Sequence, residues 1–208
     1  GEYKRWFVTY AGTVLSWRNI RIKDTHPALF GRKDRNGMLE FVREVKETIR
    51  ILKEHPAVAV WVIFNEGWGQ FQTEKLTGLV RELDPSRLID QASGWFDQGG
   101  GDLKSIHNYF FALKAVPDEN RAVALSEIGG YTFRQEGHSA CEKLYGYSAY
   151  KDRDSLNRAY AELMKKVKKL IPEGLCASVY TQWSDIEEEI NGIYTYDREI
   201  RKIEVPDL

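Results

Sequence analysis

The chain has 208 residues, enough for one sizeable core, and carries 30 Lys and Arg against 31 Asp and Glu for a formal net charge of -1. That balance argues against a nucleic-acid partner, which calls for a basic face, and no run approaches the roughly 18 apolar residues of a membrane span. Two cysteines, Cys141 and Cys176, are too few for a disulfide framework and read as free thiols. The opening Gly1–Trp6 lacks the apolar core of a signal peptide. Both features point to the cytoplasm, with export left open because Gly1 need not be the native start.

Residues 1–36 show no clean period and read as a long loop-rich segment, with Trp6–Tyr10 as a short strand. Met38, Phe41, Val42, Val45, Ile49 and Leu52 then share one face at helical spacing, and Pro56 bars continuation. The apolar run Val58–Phe64 reads as a buried strand of a parallel sheet. Thr73 is placed as the cap of the next helix, which turns Leu76, Leu79, Val80 and Leu83 inward and stops at Asp84-Pro85. Short strands follow at Leu88–Ala92, Lys104–Phe111 and Ala122–Ser126. A long loop runs to about Arg153. Asp154 is placed as the cap of a strong helix with Leu156, Tyr160, Leu163, Met164, Val167 and Leu170 inward, and Leu175–Thr181 is a last strand. Alternation of this kind marks an α/β protein built of βαβ units, and the chain reads as a single domain over 1–208.

The chemistry sits where strands end. The run Val58–Phe64 closes on Asn65-Glu66 and then on Gly67-Trp68-Gly69. Ala122–Leu125 closes on Ser126-Glu127, with Gly129-Gly130 opening the next loop. Carboxylates at the C-terminal ends of buried strands occupy the face where an α/β barrel builds its site. Two of them suit hydrolysis of a glycosidic bond, in which one protonates the leaving oxygen and the other attacks the sugar carbon or activates water. The competing reading is a pair of structural glutamates, each in a buried ion pair. Acetal chemistry needs no metal and no cofactor, and the chain carries a motif for neither.

The segments "FNEGWGQF", "SGWFDQGGGD", "SIHNYF", "ALSEIGGY" and "YTQWSDIEEEINGIYTYDR" follow in the order shown by glycoside hydrolase family 2. From about residue 31 onward the chain resembles the catalytic domain of that family of β-galactosidases and β-glucuronidases. The resemblance implies a (β/α)₈ TIM barrel of which the five strands are the fourth to eighth, hence a partial barrel. It implies Glu66 as general acid/base and Glu127 as nucleophile of a retaining double displacement on a terminal β-linked sugar. The acid's role asks for apolar surroundings, which Trp61, Phe64 and Trp68 would supply. Asn65 is then expected on the sugar 2-hydroxyl and Tyr109 on the nucleophile. His107, two residues back, shares that face, although a satisfied core histidine is an equal reading.

Trp183 is taken as the residue under the sugar ring, with Thr181 and Gln182 competing for the place. Trp68 and Trp95 either line the cleft or pack under their loops. Asp185, Glu187, Glu188 and Glu189 read as a solvated acidic loop, not a metal site. The partner expected is a carbohydrate, with neither nucleic acid nor membrane. A partial barrel leaves strand edges open, which self-association into a homo-oligomer would cover. The alternative is a truncated, inactive barrel fragment with a carbohydrate-binding or structural role.

Overall fold

The computed structural model describes residues 5–205, with side chains from Tyr10 onward. The chain forms two compact units. The first holds the residues up to His107 together with Val116–Ala124, and the second holds Asn108–Ala115 together with Leu125 onward.

The first unit opens with a helix, α1 (Arg5–Trp17), where a strand and a loop were expected. β-Branched and aromatic residues favour a strand locally, but such preferences yield to packing. Thr13 is buried, and Gly12 lies so close to Trp95 that a Cβ there would come within 2.8 Å of the indole. A single turn of 3-10 helix, Pro27–Phe30, punctuates the irregular stretch that follows.

Helix α2 (Arg35–Leu52) is capped by Asp34, whose carboxylate accepts from the N–H groups of Asn36 and Gly37. Its apolar stripe packs on two small cores. Ile49 meets Val80 and Ile89 in one, and Phe41, Val42 and Met38 lie against Phe64, Phe71 and Leu76 in the other. Strand β1 (Val60–Val62) is shorter than expected and pairs in parallel with β2 (Leu88–Asp90), Trp61 opposite Ile89. Between them runs α3 (Thr73–Leu83). Thr73 is its first residue and not its cap: the Asp24 carboxylate accepts from the Thr73 N–H at 2.9 Å and from its hydroxyl at 2.5 Å. A side chain remote in sequence thus satisfies the helix's first backbone N–H, which sequence spacing does not show. Strand β3 (Leu103–Asn108) follows β2 without an intervening helix and lies beside the opening residues of β4 (Ala122–Gly129).

In the second unit β4 continues with β7 (Leu175–Thr181) as its neighbour. The expected long loop contains a small parallel pair, β5 (Tyr131–Thr132) with β6 (Ser148–Ala149). Helix α4 (Arg153–Leu170) is capped by Asp152, which accepts from the Ser155 N–H; Asp154 lies in its first turn, where its charge suits the helix dipole. Leu156 and Tyr160 pack with Ile203, flanked by Tyr131, Phe133 and Tyr180. The acidic loop departs from expectation at Asp185. This carboxylate is buried and holds Lys202 Nζ at 2.6 Å, a pairing made necessary by the cost of desolvating either charge alone.

The described strands form ladders of two, three and two, and these do not close into a barrel. Among the described residues β1 has a ladder partner only in β2, and β7 only in β4. Val62 and Val179 are correspondingly exposed. No helix among the described residues is long and apolar enough to cross a membrane. Both cysteines are free thiols.

Candidate active site

Glu66 ends the β1 register, which closes on the bridge between Asn65 and Ser93. Its backbone is left-handed, φ 53°, followed by Gly67 at φ 72°. A non-glycine residue held there costs about 1–3 kcal/mol and is found where a side chain must be aimed. Glu66 Oε1 lies 2.9 Å from Nδ1 of His107, a residue only 1% exposed. The other ring nitrogen of His107, Nε2, is 3.0 Å from Ser93 Oγ, which is 3.2 Å from Ser105 Oγ. Gly94 makes this fit possible: at φ 85°, its missing Cβ would fall 2.3 Å from the His107 ring. The Trp95 indole meets the same ring edge-on, centroids 6.3 Å apart.

The apolar surroundings expected of Glu66 are arranged otherwise. Trp61 donates its indole N–H to Asp84 at 2.9 Å, and Phe64 stacks on Phe41. Trp95 is 1% exposed and packs under its loop against His107 instead of lining a cleft. Trp68 is 45% exposed and lines a cavity of about 460 Å³ with Arg32, Lys33 and Asp34. Asn65 is exposed, and its carbonyl accepts from the Trp68 N–H.

In the second unit Tyr109 donates its hydroxyl to Glu127 Oε2 at 2.5 Å. The same hydroxyl lies 3.0 Å from Thr181 Oγ1, and the ring stacks on Tyr147 with centroids 3.8 Å apart. Burial, and then the Glu127 charge, push the Tyr109 hydroxyl far above its ordinary value. It therefore stays protonated and donates to the Glu127 carboxyl. Trp183 stands apart from this pair: it is 66% exposed and leans on Tyr194. Of the three residues competing for that place, Thr181 is the one in contact with Tyr109. Thr181, Tyr147, Ser93 and Asp90 were not legible as neighbours of these side chains, because each is a common residue whose role is set by what folds against it. His138, Asp197 and Glu199 bring three potential metal-ligand atoms within 4.8 Å of one another, but in an exposed part of the second unit where Asp197 is already engaged by Thr195.

Parallel strands with helices between them, and carboxylates on or just beyond those strands, suit an α/β barrel domain, whose sites form at the C-terminal ends of its strands. The family model for "Glycosyl hydrolases family 2, TIM barrel domain" matches residues 18–168, and the chain belongs to that family. Comparison with curated protein sequences finds no match. Among solved structures the chain is similar in fold to the Bifidobacterium dentium beta-glucuronidase complexed with coumarin-3-O-glucuronide, with a TM-score of 0.52 and 17% sequence identity. That likeness covers 77% of this chain and 32% of the glucuronidase chain, so the chain spans about a third of that protein's length.

Proposed function

We propose that this chain carries the acid/base, Glu66, and the nucleophile, Glu127, of a retaining glycosidase acting on a terminal β-linked sugar. The observation that carries the reading is the Tyr109 hydroxyl on Glu127, since a donor that cannot easily ionise holds the carboxylate charged and aimed for attack. Family membership supports the reaction class. Glu66, anchored by His107, then protonates the departing oxygen and later takes a proton from water. Trp68 is proposed as an aromatic platform for the sugar or its leaving group, beside the Arg32 and Lys33 cations. A β-glucuronide is the first substrate to try, by analogy with the glucuronidase of similar fold.

The test is turnover of chromogenic β-glucuronide, β-galactoside and β-mannoside by the 208-residue chain, with NMR of the first-formed sugar. Retention of the β-anomer, abolished in Glu127→Gly, is the expected result. Unchanged turnover in Glu127→Gly, or an inverted anomer, would refute the nucleophile. A second reading, a non-catalytic carbohydrate-binding or structural piece, is favoured by the strand ladders, which among the described residues leave β1 and β7 with one ladder partner each. Sugar binding without turnover would select it. Self-association through those edges is proposed with either reading, and sedimentation as a stable monomer would count against it.

A further inference from the structure

Behind Glu66 lies a buried carboxyl that the proposed reaction does not use. Asp90, the last residue of β2, is 3% exposed, and its Oδ1 has no hydrogen-bond partner among the described residues. The hydroxyls of Ser105 and Ser93 act on its carboxyl, and from Ser105 a line runs through Ser93 Oγ to His107 Nε2, and from His107 Nδ1 to Glu66 Oε1, at steps of 3.2, 3.0 and 2.9 Å. Every member but Glu66 is buried.

We propose that Asp90 is a positioning residue for Glu66, acting through Ser105, Ser93 and His107. This rests on the reading of Glu66 as the acid/base. A hydroxyl has one proton to give, so a chain of such bonds must run in one direction. With Asp90 as a neutral acid, it donates to Ser105, Ser105 to Ser93, and Ser93 to His107 Nε2. The imidazole must then carry its proton on Nδ1 and donate it to Glu66 Oε1. That leaves Oε2 as the oxygen that holds the transferable proton. An ionised Asp90 would draw both hydroxyls to itself, strip Nε2 of its donor and move the imidazole proton away from Glu66.

Burial pushes the Asp90 carboxyl up, against the pull of Ser105 and Ser93, which favours the neutral form. Among the described residues of the first unit, the titratable groups in the chain of bonds itself are Asp90, His107 and Glu66. Lys104, adjacent on β3, interacts instead with Asp118, Arg121 and Asp97.

The test reads the ring-nitrogen chemical shifts of His107 in the ¹⁵N-histidine-labelled full chain, assigned with His107→Gln, alongside kcat and KM. The neutral Nδ1–H form is expected in the parent protein and in Asp90→Asn, whose amide still donates. In Asp90→Leu part of the proton should move to Nε2, and kcat should fall about tenfold, the worth of one hydrogen bond to a reacting group, with KM unmoved. An Nε2–H or doubly protonated ring in the parent at neutral pH would overturn the proposal. So would Asp90→Asn and Asp90→Leu losing equal activity with the tautomer unchanged. The tautomer is read without turnover, so the two readings fail separately. An inactive chain with the Nδ1–H form defeats the glycosidase and supports the relay. An active chain with the wrong tautomer defeats the relay alone.

Discussion

Replacing Lys202 with methionine tests a fully buried ion pair in the second unit. Lys202 is 0% exposed, and its ammonium donates to both oxygens of Asp185, at 2.6 and 2.9 Å, and to the carbonyls of Ile190 and Phe133 at 2.9 and 3.1 Å. Methionine fills much of the volume but satisfies none of these four acceptors. The Asp185 carboxylate keeps the Gly192 N–H at 2.8 Å and loses its counter-charge. Breaking one side of a buried pair costs about 3–5 kcal/mol, which for a chain of this size lowers Tm by about 6–20 °C. Burial already pushes the Asp185 carboxyl up while Lys202 pulls it down; without Lys202 it rises further. A carboxyl whose folded-state value exceeds its unfolded one destabilises the fold wherever it is ionised. The deficit should therefore be greatest at neutral pH and shrink as pH falls through the folded-state value. Adding Asp185→Asn should recover part of the loss. Urea denaturation followed by circular dichroism at several pH values measures this. A loss below about 1 kcal/mol at neutral pH, or one that acid does not relieve, would refute the reasoning.

Gly94→Ala should destabilise by about 2–5 kcal/mol, summing the left-handed backbone and the overpacking against His107, and should weaken turnover with it; an unchanged melting curve would contradict the packing described. Tyr109→Phe removes the donor to Glu127 and should lower kcat by about ten- to hundredfold, the worth of a hydrogen bond to a charged group, as measured by steady-state kinetics. Arg121, buried between Asp97 and Asp118, holds the Asp118 carboxyl at about 2 through its hydrogen bonds and outweighs burial to bring Asp97 below its ordinary value. Both values are depressed in the folded state, so their contribution is full above about pH 4 and disappears as pH falls towards about 2. Arg121→Met should flatten that part of the acid-denaturation curve, read by circular dichroism.

Helices α2, α3 and α4 and most strands were legible because their signals are local. The stripe of α2, the proline after it and the apolar run into Glu66 depend on spacing alone. The order of the glutamate motifs likewise pointed to the family whose model matches residues 18–168. What failed depended on residues far apart. Trp6–Tyr10 reads as a strand until α1 packs Gly12 onto Trp95. Thr73 looks like a cap until Asp24 supplies the acceptor, and Asp185 looks solvated until Lys202 is found against it.

The same division runs through the candidate site. Sequence by itself determined that Glu66 and Glu127 each follow an apolar run, because such runs and the glycines after them are written in consecutive residues. The strand ends it implied differ, since Glu66 lies beyond the short, half-exposed β1 and β4 runs on through Glu127 to Gly129. Only the tertiary structure decided which side chains hold them. The resemblance already implied Tyr109 on Glu127, but His107 for Glu66, Thr181 against Tyr109, and Asp90 behind Ser93 are brought together by sheet register and loop closure. A hydrogen bond needs its atoms about 3 Å apart, and no spacing along the chain encodes that distance.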